Sequence, residues 1–421
     1  MDLAHRFANV RVVVEGVRVG YLSTFPPTEC GIATFTQDLV NAVDRTTLIS
    51  RSEVLAIGHH GQSPQYDDRR VRFRINQQSL ADYHEAAEYL NQSQVRVVCV
   101  EHEFGIFGGE LGSYVLPFMQ ALRRPVVLTL HTLLPDPEPQ MRRATQEVVS
   151  RADRIVVMNT AAAQVLADQY GVGPDRIRHI HHGVPEFAGR SPERVKRELG
   201  LSGRTVVATF GLISRGKGLE YAIEAMPAIA RSHPDALYLI LGQTHPGVQR
   251  REGESYREHL ESLIERLGVR DHVRFVNRYL TKREITDYLL AADICVTPYL
   301  NPHQLVSGVL AYAVGAGKPI ISTPYWYALD LLAHGRGMIV DFRDPAGIAD
   351  AADCLLDSPQ LRCALAGRTR RLGKGMRWSR VALEYVALFQ EAARLPERAW
   401  VRKRVAPVAP LVAGLGRKRE V

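Results

Sequence analysis

The segment Gly211-Leu212-Ile213-Ser214-Arg215-Gly216-Lys217-Gly218 joins a glycine-rich turn to two full positive charges. It follows the apolar run 205–210 and precedes a helical pattern over 219–230. A strand that breaks into such a turn and then a helix presents unpaired backbone N–H groups at the positive end of a helix dipole. These residue types at this spacing suit phosphate binding, with Arg215 and Lys217 as the charges. A second turn, at 23–33, has Pro26 and Pro27 ending a strand, and a helical pattern follows over 34–43. Its Gly31 lets the backbone approach a ligand closely, although a glycine there also serves packing in many Rossmann-like folds.

Other candidates stand where apolar runs end. His131 closes the run 126–130, and its imidazole suits a sugar hydroxyl; a structural histidine is the competing reading. His102 follows Val98-Cys99-Val100-Glu101, beside Glu103, Phe104 and the loop 105–109, which can shape an acceptor pocket. His181-His182-Gly183 reads as a turn into a linker. Further on, Gln304 to Tyr312 follow a run ending at Tyr299, and Ser307 and Gly308 start a helix whose amides can meet a diphosphate. Tyr299 and Asn301 are candidate sugar contacts. Thr323, Tyr325 and Trp326 are a candidate stacking wall, with loop packing the competing reading for Trp326. The chain holds no Asp-x-Asp, His-Glu-x-x-His or Gly-x-x-x-x-Gly-Lys-Ser/Thr, so metal-dependent and P-loop chemistry are disfavoured.

The elements that must position these residues follow from periodicity. Short apolar runs fall at 17–22, 54–58, 71–75, 95–100, 126–131, 154–159 and 177–182, then at 205–210, 237–241, 273–276, 294–298, 320–323 and 337–341. Most are continuous rather than alternating, as in strands buried on both faces. Helical patterns lie between them, for example over 80–90, 258–267 and 282–291. This alternation predicts parallel sheets of right-handed βαβ units. Pro185, Gly189, Pro192, Gly200 and Gly203 cluster between the halves. The expected organisation is a first domain over 1–188, a second over 189–375, a crossover helix over 376–395 and a basic tail over 396–421. In such sheets ligands bind beyond the carboxyl ends of the strands, so two facing domains would make a cleft.

At 421 residues the chain exceeds what one core usually holds. Its 46% hydrophobic and 23% charged residues are those of a globular protein. No apolar run approaches a membrane span, the N-terminus has no signal-peptide pattern, and five scattered cysteines suggest a reducing compartment. A cytoplasmic location is the expectation. The net charge of +8 is concentrated in the tail. That tail reads as a solvated segment or, since Trp400, Val401 and Val405 interleave with its charges, as a contact to anionic membrane. Outside it no aromatic-laced basic stripe appears, which argues against nucleic acid.

Four segments make a resemblance specific. They are Gly-x-x-x-x-x-Lys-Gly at 211–218, Leu-Gly-Val-Arg-Asp-His-Val-Arg-Phe at 267–275, Ala-Ala-Asp-Ile-Cys-Val-Thr-Pro at 291–298, and Ala-Gly-Lys-Pro-Ile-Ile-Ser-Thr at 316–323. In this order they resemble the donor domain of the GT-B retaining glycosyltransferases of family 4. The segment around Pro26-Pro27 and Cys30-Gly31-Ile32-Ala33, with the His131 strand end, is similar to the acceptor domain.

The resemblance implies an α/β GT-B fold of two Rossmann-like domains. It implies hexose transfer from a nucleoside diphosphate sugar to a carbohydrate or lipid-linked acceptor, with no metal and no cofactor. Lys217 would pair with the diphosphate, the amides of Ser307 and Gly308 would hold phosphate, and His131 would touch the transferred sugar. Gly211, Arg215, Tyr299, Gln304 and Tyr312 complete the donor set; Gly31, His102 and Phe104 form the acceptor or phosphate set. Three positions depart from the family pattern. Leu212 replaces an arginine, and two glutamates fall on Gln304 and Tyr312. These departures keep a second reading open, a catalytically silent GT-B domain acting as a regulatory subunit. A third is an epimerase using Glu101 and Glu103.

Overall fold

The computed structural model describes residues 16–58, 64–187 and 189–397. Nearly all of the basic tail, with Trp400, Val401 and Val405, lies outside the described residues.

The first domain has seven strands: β1 (Val17–Ser23), β2 (Ile49–Gly58), β3 (Val71–Asn76), β4 (Val97–His102), β5 (Val126–Leu130), β6 (Arg154–Val157) and β7 (Ile177–His179). They form one sheet in the order β3-β2-β1-β4-β5-β6-β7, every pair parallel. The second has β8 (Thr205–Phe210), β9 (Ala236–Leu241), β10 (Val273–Val276), β11 (Ile294–Thr297), β12 (Ile320–Ser322) and β13 (Met338–Ile339). Their order is β10-β9-β8-β11-β12-β13, again parallel throughout. Every residue of β4, β5 and β9 is buried, because helices cover both faces of each sheet. This is the GT-B architecture.

β2 begins at Ile49, five residues before the apolar run that signalled it. The intervening Ser50-Arg51-Ser52-Glu53 is too polar to read as buried strand. Glu53 is nevertheless enclosed, because Arg18 pairs with it at 3.2 Å and the Tyr89 hydroxyl donates to it at 2.8 Å.

The two chain crossings between domains are bonded side by side. The Val184 amide donates to the Met376 carbonyl at 2.8 Å, and the Trp378 amide returns to the Val184 carbonyl at 3.0 Å. The helix Trp378–Ala392 then packs on the first sheet. Its Phe389 ring meets Tyr21 edge-on at 5.9 Å, Tyr385 lies 3.3 Å from the Thr129 hydroxyl, and Glu391 accepts from Arg154 at 2.8 Å. One apolar cluster consequently runs from the first domain through this helix into the second.

Phe389 is fully buried at that junction. Phe389→Ala is expected to cost about 3 kcal/mol, the usual result of truncating a buried phenylalanine, read from urea unfolding. A cost below about 1 kcal/mol would contradict the docking of this helix.

Candidate functional site

Two adjoining cavities occupy the cleft between the domains, with volumes of about 1150 and 570 Å³. Their walls come from the segments that follow β1, β4 and β5 on one side and β8, β9 and β11 on the other. Gly31, Phe35, His182, His245 and Gly308 border both.

The smaller cavity is lined by Gly211, Leu212 and Lys217 from the turn after β8. Gly218 makes that turn possible. Its φ is +58°, and a Cβ there would lie 2.2 Å from the Pro298 carbonyl oxygen. The turn drops Lys217 over the Tyr299 ring, with Nζ 3.8 Å from the centroid. No carboxylate pairs with Lys217 among the described residues, and burial pulls its ammonium down to about 8. It is a cation without a counter-ion at the wall of the cleft.

Gly308 opens the helix Gly308–Gly315, capped by the Ser307 hydroxyl, which accepts from the Leu310 amide at 3.1 Å. A Cβ on Gly308 would come within 3.3 Å of His182 Nε2, so glycine lets this helix end reach the cleft wall. On the opposite domain Gly31 opens the helix Gly31–Arg45, and a Cβ there would meet nothing within 4 Å. Two helix N-termini, with their unpaired amides, thus border the cleft from both sides.

His131 lines the larger cavity. Its Nε2 donates to the buried Glu101 carboxylate at 2.8 Å. This bond fixes the ring and leaves Nδ1 as the nitrogen without a protein partner among the described residues. Gln304 lines the same cavity, and its amide donates to the Val306 carbonyl at 3.1 Å. Tyr312 lines the smaller one. Its hydroxyl reaches Asp38 of the first domain at 3.4 Å, and Lys282 forms an ion pair with the same carboxylate. Burial raises the Asp38 carboxyl above its usual range, with Lys282 opposing it.

Five of the expected ligand residues do not line either cavity. Arg215 turns outward, where it pairs with Glu252 at 3.4 Å and lies over the Tyr256 ring. Tyr299 is fully buried beneath Lys217, stacked on Tyr325 at 5.2 Å, so it supports the lysine rather than touching a sugar. Ser307 is buried and spends its hydroxyl on the cap. His102 points into the apolar layer, packed on Phe104 and Phe107; burial lowers its imidazole to about 3, which keeps it neutral. Phe104 packs on His102 and leaves the cavity wall to its neighbours Glu103, Gly105 and Ile106. Of the weaker candidates, Asn301 lines the larger cavity, whereas Trp326 meets the ring of His303 at 5.2 Å behind it.

The cleft also gathers residues that the sequence reading did not assign to it. His182 is no linker turn. It borders both cavities, donates from Nδ1 to the Gly183 carbonyl at 2.7 Å, and is held neutral by burial, at about 4. His245, Arg250, Arg251 and His303 line the larger cavity, and Lys282 the smaller. The signal available for the first three was their position just after β9, at a carboxyl end. Among the described residues no group of His, Cys, Asp and Glu is arranged to hold a metal ion, and no helix is long and apolar enough to cross a membrane.

A family model described as Glycosyltransferase Family 4 matches residues 31–186, and one described as Glycosyl transferases group 1 matches residues 204–358. The chain belongs to the group 1 glycosyltransferases. The D-inositol 3-phosphate glycosyltransferase of Corynebacterium kroppenstedtii is 29% identical over 290 residues, covering 65% of this chain and 63% of that protein. Spore coat protein SA of Bacillus subtilis is 25% identical over 254 residues, covering 56% of this chain and 65% of that protein. The chain thus spans less than two thirds of the length of these curated relatives. The crystal structure of Anabaena HepE in complex with UDP and glucose superposes with a TM-score of 0.71 at 15% identity, over 89% of this chain and 100% of that one. An Escherichia coli structure described as trehalose-6-phosphate bound with UDP-2-fluoro glucose superposes with a TM-score of 0.67 at 13% identity, over 90% and 100%. These structures share the GT-B fold with the group 1 chain.

The depressed Lys217 ammonium sets a pH dependence of known sign. Between about pH 8 and the ordinary lysine value near 10.4 the unfolded chain holds a proton at this site that the folded chain has lost. Stability therefore rises with pH across that window. In thermal unfolding without ligand, Lys217→Met is expected to be more stable than wild type at pH 7, with the gap narrowing above pH ~8 and closing only above pH ~10.4. A gap independent of pH would show that Lys217 is not desolvated.

Proposed function

We propose that the chain moves a hexose from a nucleoside diphosphate sugar to a hydroxyl of a carbohydrate or lipid-linked acceptor, with retention at the anomeric carbon and without a metal ion. The observation that carries this reading is the unpaired Lys217 ammonium in the cavity that also receives the Gly308 helix end. A diphosphate placed there would gain a full charge and oriented amides at the cleft wall. The bound UDP and UDP-sugar of the structural neighbours support a uridine nucleotide as the first donor to test.

In this reading the base and ribose occupy the smaller cavity, between Leu212 and the segment Tyr279–Lys282. The hexose lies at the junction, near His131 and Gln304, and the acceptor fills the larger cavity. As the bond from the anomeric carbon to the β-phosphate oxygen breaks, Lys217 and the Gly308 amide take up the charge developing on phosphate. Retention by double displacement needs a carboxylate nucleophile, and Gln304 is an amide. In this reading the route is front-face attack: the acceptor oxygen bonds to the anomeric carbon from the side of the departing diphosphate, which accepts the hydroxyl proton. His131, oriented by Glu101, would hold a sugar hydroxyl.

Gln304 and Tyr312 also favour a second reading, a silent domain that binds a sugar nucleotide without turnover. Turnover separates the two. Release of UDP from UDP-glucose, with or without acceptor, is expected in wild type in the presence of EDTA. Lys217→Ala is expected to lower kcat/KM at least ~100-fold, as for loss of one preorganised contact to developing charge. UDP affinity in wild type should fall as pH rises through about 8, because the ammonium deprotonates, and in Lys217→Ala it should be flat. UDP binding without any turnover would favour the silent domain.

A further inference from the structure

The larger cavity has its own positive pole, separate from Lys217. The short helix Pro246–Glu252 follows β9 and ends at Gly253, whose φ is +61°. It places Arg250 and Arg251 on the wall of the larger cavity and on neither wall of the smaller one. Their nearest acidic neighbours in sequence are engaged elsewhere: Glu252 pairs with Arg215 at 3.4 Å, and Glu254 accepts from Arg257 at 2.9 Å and from Gln249 at 3.1 Å. Among the described residues neither Arg250 nor Arg251 forms an ion pair. Glu254 also accepts from Thr244 at the foot of the segment, so the loop that carries the arginines is braced.

His245 and His303 line the same cavity. Burial, and then the charges of Arg250, Arg251 and Lys217, hold the His245 imidazole below its ordinary range. The two basic poles therefore act on a common space. Two carboxylates line the larger cavity as well. Glu29 accepts from Gln243 at 2.9 Å, and Glu103 accepts from Thr132 across the first domain's loops.

We propose that the acceptor carries a phosphoryl group, held by Arg250 and Arg251 at the second-domain wall of the larger cavity while its reacting hydroxyl faces His131. A phosphate monoester is the matching chemistry. Two consecutive guanidinium groups offer several planar donors to its oxygens, and a charge of nearly two answers both. The inference rests on the sugar-transfer reading, because it assigns the larger cavity to an acceptor. Both arginines are exposed at the cavity rim, so solvent and salt screen them and the effect is moderate rather than catalytic in scale.

The test is calorimetric titration of the full chain, saturated with UDP, with myo-inositol 3-phosphate and glucose 6-phosphate, and with unphosphorylated inositol and glucose. Wild type is compared with Arg250→Ala/Arg251→Ala, whose melting temperature is checked first. At least one phosphorylated probe is expected to bind ~10-fold or more tightly than its neutral partner. That preference should vanish in the double variant and shrink as salt is raised, while UDP affinity stays within about twofold. The proposal is overturned if no phosphorylated probe is preferred, or if the preference survives in the double variant. It is also overturned if UDP binding weakens as much as probe binding, which would move the arginines to the donor site. Failure of wild type to bind UDP at all would instead remove the sugar-transfer reading beneath it.

Discussion

A lysine ammonium held over a tyrosine ring, with no carboxylate beside it among the described residues, is the interaction that organises the cleft. The ring offers Lys217 a favourable quadrupole worth about 0.5–2 kcal/mol. That does not offset the burial, since the ammonium still falls from its ordinary range to about 8. The surroundings are arranged to sustain this imbalance. Gly218 takes a backbone conformation that drops the turn onto Tyr299, Tyr299 is stacked on Tyr325, and the Tyr325 hydroxyl is tied to Thr297 at 3.2 Å. On the sugar-transfer reading, a charge left unpaired in this way is completed by the donor's diphosphate.

Much of this frame was legible in the sequence. Continuous apolar runs gave the strands because both faces of each sheet are covered, and the glycine turn after β8 gave Lys217. What was not legible was which strand-end residue faces the cleft. His102 and His131 end neighbouring strands and looked equivalent. In the sheet Glu101 pairs with Thr129 and His102 with Leu130. Side chains alternate along a strand, so Glu101 and Thr129 share the face covered by the helix Trp378–Ala392. His131, one step beyond Leu130, returns to that face and reaches Glu101, while His102 points to the other. One residue of register decides between a neutral core histidine and a cleft histidine, and register is a property of the assembled sheet.

The same holds for charge. Arg215, next to the phosphate turn, reads as a ligand residue, whereas nothing in the motifs marks Arg250 and Arg251 for the cleft. The fold reverses both. Glu252 pairs with Arg215 at 3.4 Å; among the described residues no carboxylate pairs with Arg250 or Arg251. Local sequence names the charges, but the partner that cancels a charge comes from another element. Tyr312 is a further case. Its hydroxyl meets Asp38 across the domain boundary, so a carboxylate still stands near the position where the family carries glutamate on its own helix.

The contacts that hold the domains differ in kind, and magnitudes say which of them can yield. The seam beside the smaller cavity is polar: Lys282 with Asp38 and Gln37, Gln243 with Glu29, and Tyr279 with Thr34 at 3.4 Å. Such partly exposed bonds contribute about 0.5–1 kcal/mol each, and water replaces them readily. At the crossings, by contrast, Val184 is bonded on both sides to the returning chain, and the helix Trp378–Ala392 buries Val381, Tyr385 and Phe389 against the first domain. Removing one such apolar side chain from its site costs about 3 kcal/mol or more. On the sugar-transfer reading, the seam is therefore the part that would open and the paired crossings would be the hinge. Because Glu29, Thr34, Gln37, Gln243, Tyr279 and Lys282 also line the smaller cavity, a ligand seated there would meet both domains, and on the sugar-transfer reading its binding would be coupled to closure of the cleft.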